Sequence, residues 1–110
     1  MNDPAPSGVE QSVPPEIAEV VGQATTSVSG VAGLHPGMFG EIGTYLPGRR
    51  VPGIRVDENS VEIHVTAVYG SDLSALAAAI RSRVSILTGT RDVNVCVEDV
   101  TAASPPSPGR

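Results

Sequence analysis

The sequence predicts an α+β fold built as one small domain. Two stretches carry apolar residues at helical spacing, and three carry them at every second position. The chain has 110 residues, a length suited to one core. The elements run in the order α-β-β-β-α-β. Two amphipathic helices bury their stripes most simply by packing on one face of a three- to four-stranded sheet. With one Phe, two Tyr and no Trp, that core is built from Val, Ile, Leu and Ala. Residues 14–100 form the expected domain. The Pro-, Ser- and acid-rich stretches 1–13 and 101–110 bury too little apolar surface to offset ordering entropy and are expected as disordered tails.

The first helix is read from PPEIAEVVGQATTSVSGV. Ile17, Val20, Val21, Ala24 and Val28 share one face, Ser12 is a candidate N-cap, Pro14 and Pro15 suit a first turn, and Gly22 lowers helix propensity. A short strand near Val31–Leu34 follows, then a mobile loop rich in glycine and proline. Phe39, Ile42, Tyr45 and Leu46 are expected to tack that loop onto the core.

A hairpin comes next. Val61, Ile63, Val65 and Ala67 alternate with Glu62, His64, Thr66 and Val68, and Ile54 and Val56 alternate with Arg55 and Asp57. Placing Val56 opposite Val61 puts Ile54 opposite Ile63 and Arg55 opposite Glu62. A slip of one residue would send the apolar set to the wrong face. The turn is DENS, with Asn59 best suited to a positive φ. Pro52-Gly53 starts the strand or forms a bulge. In the second helix Ser71 is the expected N-cap, and Leu73, Leu76, Ala77, Ile80, Val84 and Leu87 form the stripe that Gly89 stops. Val93, Val95 and Val97 mark the last strand. The other sheet face then carries Arg55, Glu62, His64, Thr66, Asn94, Cys96 and Glu98, and is wet or meets a partner.

Composition narrows the function. The net charge is −5, and every basic side chain is an arginine. Nucleic-acid affinity rests on cation–phosphate contacts, so this charge argues against it. The chain also lacks a GXXG loop directly joining two helices, as a KH domain would show, and the strand aromatics of an RRM. A small KH-like RNA-binding or ribosome-associated module is the alternative reading. The lone Cys96 fits a reducing compartment, the N-terminus does not read as a signal peptide, and no apolar run approaches the ~18 residues of a membrane span. The expected location is cytoplasmic, with any membrane association made through a partner.

No catalytic, cofactor-binding or metal-binding set is expected. The only histidines are His35 and His64, and His64 with Cys96 supplies two ligands where zinc wants three or four. His64 is read as a solvated strand residue. Cys96 has no recognisable base or oxyanion site, and the glycines match neither phosphate-binding fingerprint. What remains is LPGRRVPG. Arg49 and Arg50 either pair with surface acids or form a docking loop whose guanidiniums fork onto a partner's carboxylates. Tyr45, Arg49, Arg50, Arg55, Glu62 and His64 are the candidate partner-binding residues.

The segments SVSGVAGL, GRRVPGIRVDENSVEIHVTAVYGSDL and VNVCVEDV together resemble the alkaline shock/general stress protein family, the envelope stress response proteins of Gram-positive bacteria. The YLPGRRVPGIRV form is similar to actinobacterial members. The resemblance covers about Pro15 to Val100. It implies a non-enzymatic cytoplasmic protein linked to envelope stress and cell-wall homeostasis, held at the inner membrane face by a small transmembrane partner and able to self-associate. It implies no cofactor, no small-molecule substrate and no direct membrane insertion.

Overall fold

A computed structural model of the chain describes residues 13–102. Of the expected tails, residues 1–12 and 103–110 fall outside the described residues, and the last strand runs on to Thr101. The Ser12 cap also falls outside them. Two helices, α1 (Glu16–Thr26) and α2 (Leu73–Thr88), bracket β1 (Val31–Leu34), β2 (Gly43–Leu46), β3 (Arg49–Pro52), β4 (Ile54–Val56) and β5 (Ser60–Val68). β6 (Asp92–Thr101) closes the domain. The order is α-β-β-β-β-β-α-β, which adds two strands to the expected three between the helices.

β5 organises the main four-stranded sheet. β6 runs parallel to it along one side, as a strand–helix–strand crossover permits. Its other side is shared end to end by β4, opposite Val61–Ile63, and β1, opposite Val65–Ala67. His64 sits where β4 gives way to β1. Its N–H donates to Gly53 O at 2.8 Å, and its carbonyl accepts from the His35 N–H at 2.9 Å. The β4–β5 register is the expected one: Val56 opposite Val61, Arg55 opposite Glu62 and Ile54 opposite Ile63. Asp57 holds the turn, its Oδ1 accepting from the N–H groups of Asn59 and Ser60.

Both helices cover one sheet face. Val61, Ile63, Val65 and Ala67 point into that layer, fully buried with Ile80 and Val84 of α2 and Val21 of α1. The α1 stripe is rotated from the expected one: Ala18, Val21, Gly22 and Thr25 are buried, while Val20 is exposed. Gly22 is the cause. A Cβ there would lie 3.3 Å from both Leu34 and Val51, so the missing side chain lets the helix close onto the strands. Thr25 is tolerated inside because its hydroxyl donates to Val21 O at 2.8 Å. In α2 the buried stripe narrows to Leu76, Ile80, Val84 and Thr88, leaving Leu73 and Leu87 half-exposed at its margins. Its N-cap is Asp72 rather than Ser71. The Asp72 carboxylate accepts from Ala75 N–H at 3.0 Å and adds negative charge at the positive end of the helix.

The expected mobile loop contains a second, two-stranded sheet. β2 pairs with β3 antiparallel, with Tyr45 opposite Arg50 and Leu46 opposite Arg49. The turn is Leu46-Pro47-Gly48-Arg49. Gly48 has φ +77°, the third position of a turn with proline second. Leu46 and Val51 drop from this hairpin into the core, and Thr44 Oγ1 donates to Ile54 O at 2.6 Å. Arg49 and Arg50 therefore lie on a strand and not in a loop.

Candidate functional site

Two surface features gather the polar residues singled out in the sequence. The first is the segment Pro36–Ile42, between β1 and β2. Its backbone closes on itself, Ile42 N–H to Pro36 O at 2.8 Å and Gly40 N–H to Gly37 O at 3.1 Å. Two arginines pin it from outside. Arg50 Nη2 donates to Gly40 O at 2.6 Å and to Ile42 O at 3.0 Å, and Arg55 Nη2 donates to Glu41 O at 2.6 Å. Phe39 N–H donates to Glu41 Oε1 at 3.1 Å. The Gly40 and Glu41 carbonyls thus receive charged donors, the stronger kind of hydrogen bond, and the Ile42 carbonyl gains a second bond beside that from the Gly53 N–H at 2.8 Å.

That geometry holds Met38 and Phe39 out in water. They are 81% and 87% exposed, and Phe39 is the chain's one phenylalanine. Of the four residues expected to tack the loop down, Ile42 and Leu46 do so. Phe39 and Tyr45 do not, Tyr45 being 75% exposed. Arg50 lies between the loop and Tyr45. Its guanidinium covers Gly43, where a Cβ would come within 2.6 Å of Nη2, and its Cζ is 5.4 Å from the Tyr45 ring centroid. A stack at this range contributes about 0.5–1 kcal/mol at an exposed site. Arg49 takes the other direction and pairs with Glu19 of α1 at 2.6 Å. Both partners stay wet, so the pair contributes about 0–1 kcal/mol. The two adjacent arginines have separate structural jobs.

The second feature lies on the sheet face away from the helices. His64 and Cys96 are cross-strand partners, and Glu62 stands two residues before His64. His64 is buried and not solvated. Its Nε2 is 2.7 Å from Glu62 Oε2 and its Nδ1 is 2.5 Å from Glu98 Oε2. Glu98 reaches back because the β5–β6 register shifts there: Val65 pairs with Val97 and Thr66 with Asp99, leaving Glu98 as the extra residue of a bulge. Burial pushes the His64 imidazole toward neutrality, but hydrogen bonds and charges from Glu62 and Glu98 outweigh it and raise the pKa. Burial and the charge of Glu98 raise the Cys96 thiol, whose Sγ is 3.8 Å from Glu98 Oε2. Arg55 completes the cluster, its Nη1 3.9 Å from Glu62 Oε1. Alternation places Cys96 and Glu98 on one face, but the bulge that brings Glu98 to His64 has no local signal.

Of the six residues expected to bind a partner, Arg50 and Tyr45 meet at the first feature, and Glu62 and His64 at the second. Arg55 touches both, and Arg49 stands apart against α1. Among the described residues, no helix is long and apolar enough to cross a membrane. No curated protein and no solved structure matches the chain. A family model for the alkaline shock proteins, described as having a cell envelope-related function, matches residues 9–102, nearly the whole chain and all of the described fold. The chain is accordingly a member of the alkaline shock protein family, whose function is cell envelope-related.

Proposed function

We propose that the chain works at the cell envelope as a non-enzymatic scaffold, docking a protein partner through the Met38–Phe39 tip. One observation carries this reading: an apolar pair is held fully in water by a loop that arginine–carbonyl bonds keep in shape. A phenylalanine left in water forgoes about 1.5–3 kcal/mol of burial. A loop already fixed in its bound shape loses little further entropy on docking. The arginines then act by holding the tip rather than by gripping a carboxylate. The occupant is the small transmembrane protein implied by the family resemblance. A net charge of −5 opposes direct contact with an anionic leaflet, and Glu41 adjoins the tip. The family match favours this reading over a KH-like RNA-binding module.

The test is recruitment to membranes. Met38→Ser with Phe39→Ser is expected to leave the circular dichroism spectrum and melting temperature unchanged, because both side chains are exposed. The wild-type chain is expected to co-sediment with native membranes, to lose them after the membranes are treated with protease, and not to bind protein-free vesicles. The double variant should stay in the supernatant. Wild-type sedimentation of the variant overturns the role of the tip. Binding to protein-free anionic vesicles overturns the protein intermediary.

A further inference from the structure

We propose that His64, Cys96 and Glu98 form a binding site for a zinc-class divalent transition-metal ion on the open face of the sheet. Sequence alone offers two ligands, His64 and Cys96. The fold adds a third through the bulge at Glu98, and the three ligand atoms lie within 4.8 Å of one another. Zinc binds sulfur at about 2.3 Å and nitrogen or oxygen at about 2.0–2.2 Å, so ligand atoms around a tetrahedral ion stand about 3.3–3.6 Å apart. The separations here fall on both sides of that value. Cys96 Sγ is 3.8 Å from Glu98 Oε2, and His64 Nδ1 is 2.5 Å from the same oxygen. An ion entering between them replaces the proton shared by Nδ1 and the carboxylate and spreads that pair by about an ångström.

The surroundings match what a ligating histidine needs. Such a residue donates its second ring N–H to a carboxylate, which fixes the tautomer and aims the other nitrogen at the metal. His64 has that partner in Glu62, 2.7 Å from Nε2, leaving Nδ1 to face Cys96 and Glu98. Arg55 stands behind Glu62 at 3.9 Å. With His64 neutral and Cys96 ionised, the three ligands and Glu62 place three negative charges around a dication. The nitrogen, sulfur and single carboxylate favour zinc, cobalt or nickel over magnesium or calcium, which take oxygen ligands. Three protein ligands leave a fourth position for water, and a groove lined by His35, Met38 and Asp99 adjoins Glu98. Metal uptake releases the Cys96 proton and whatever proton His64 carries, so binding tightens as pH rises.

The test uses the full-length chain, reduced and stripped with a chelator, then titrated with cobalt(II) and zinc(II). One equivalent of cobalt is expected to bind per chain, with a thiolate-to-cobalt charge-transfer band that zinc displaces. Cys96→Ser should remove that band. Because Cys96 is exposed, this variant keeps the fold. Glu62→Gln should keep the band and weaken affinity by about 10–100-fold. His64→Ala should abolish binding, and its circular dichroism spectrum is read alongside. No charge-transfer band at saturating cobalt overturns the site, as does unchanged zinc stoichiometry and affinity in Cys96→Ser.

Discussion

Gly53 joins the hairpin to the main sheet, and replacing it with alanine tests that junction. It has φ +78°, a conformation that costs an ordinary residue about 1–2 kcal/mol. A Cβ there would also lie 2.7 Å from His64 O, 2.9 Å from His35 O and 3.0 Å from His35 N. All three are backbone atoms, one in β5 and two in His35 just past β1, and none can swing away as a side chain would. Forcing extra volume into a packed site adds about 1–3 kcal/mol. Gly53→Ala is therefore expected to destabilise the domain by about 2–5 kcal/mol, a large share of the roughly 5–15 kcal/mol typical of native proteins. Gly48→Ala is the control. Its φ is +77°, yet a Cβ there meets nothing within 4 Å. It should cost only the conformational part, about 1–2 kcal/mol. Both variants lose the same freedom in the unfolded chain, so that contribution cancels between them. Urea unfolding followed by circular dichroism gives the two midpoints. If Gly53→Ala unfolds no earlier than Gly48→Ala, the strands do not approach at Gly53 as described.

Asp72→Ala removes the carboxylate that caps α2 and should destabilise the domain by about 1 kcal/mol, while Ser71→Ala should have a smaller effect. Equal losses in urea melts would return the cap to Ser71. Asp57 supplies a pH test. Hydrogen bonds from the N–H groups of Asn59 and Ser60 hold its pKa below the ordinary aspartate value. A depressed folded-state pKa contributes stability above the unfolded value, near about 3.9, and that contribution disappears as pH falls through the folded value. The stability difference between wild type and Asp57→Asn should thus stay level above about pH 5 and shrink below about pH 4. A difference that stays level through about pH 3 refutes the assignment.

Local pattern was enough for the parts of this fold that a period can encode. The alternation from Val61 to Ala67 determined strand β5, its buried face and its register with β4, because a slip of one residue exchanges the two faces. The apolar spacing in α2 located Leu76, Ile80 and Val84, and membership of the alkaline shock protein family was legible in the Val-, Gly- and Asp-rich segments. Leu46-Pro47-Gly48-Arg49 also held a turn signal, one that reads equally as loop because the flanking strands are four residues each. Tertiary structure decided the rest. The rotation of α1 depends on Gly22 meeting Leu34 and Val51, residues remote in the chain whose approach no helical period reveals. The arginines' roles depend on the carbonyls of Gly40 and Glu41, which lie outside any strand, and on the spare lone pair of Ile42 O. The gathering of Glu62, His64, Cys96 and Glu98 needs β6 beside β5 in parallel, and then one extra residue at Glu98. A strand's sequence states which side chains share a face. Which strand lies beside it, and where the ladder slips, is set only when distant segments compete for the same backbone hydrogen bonds.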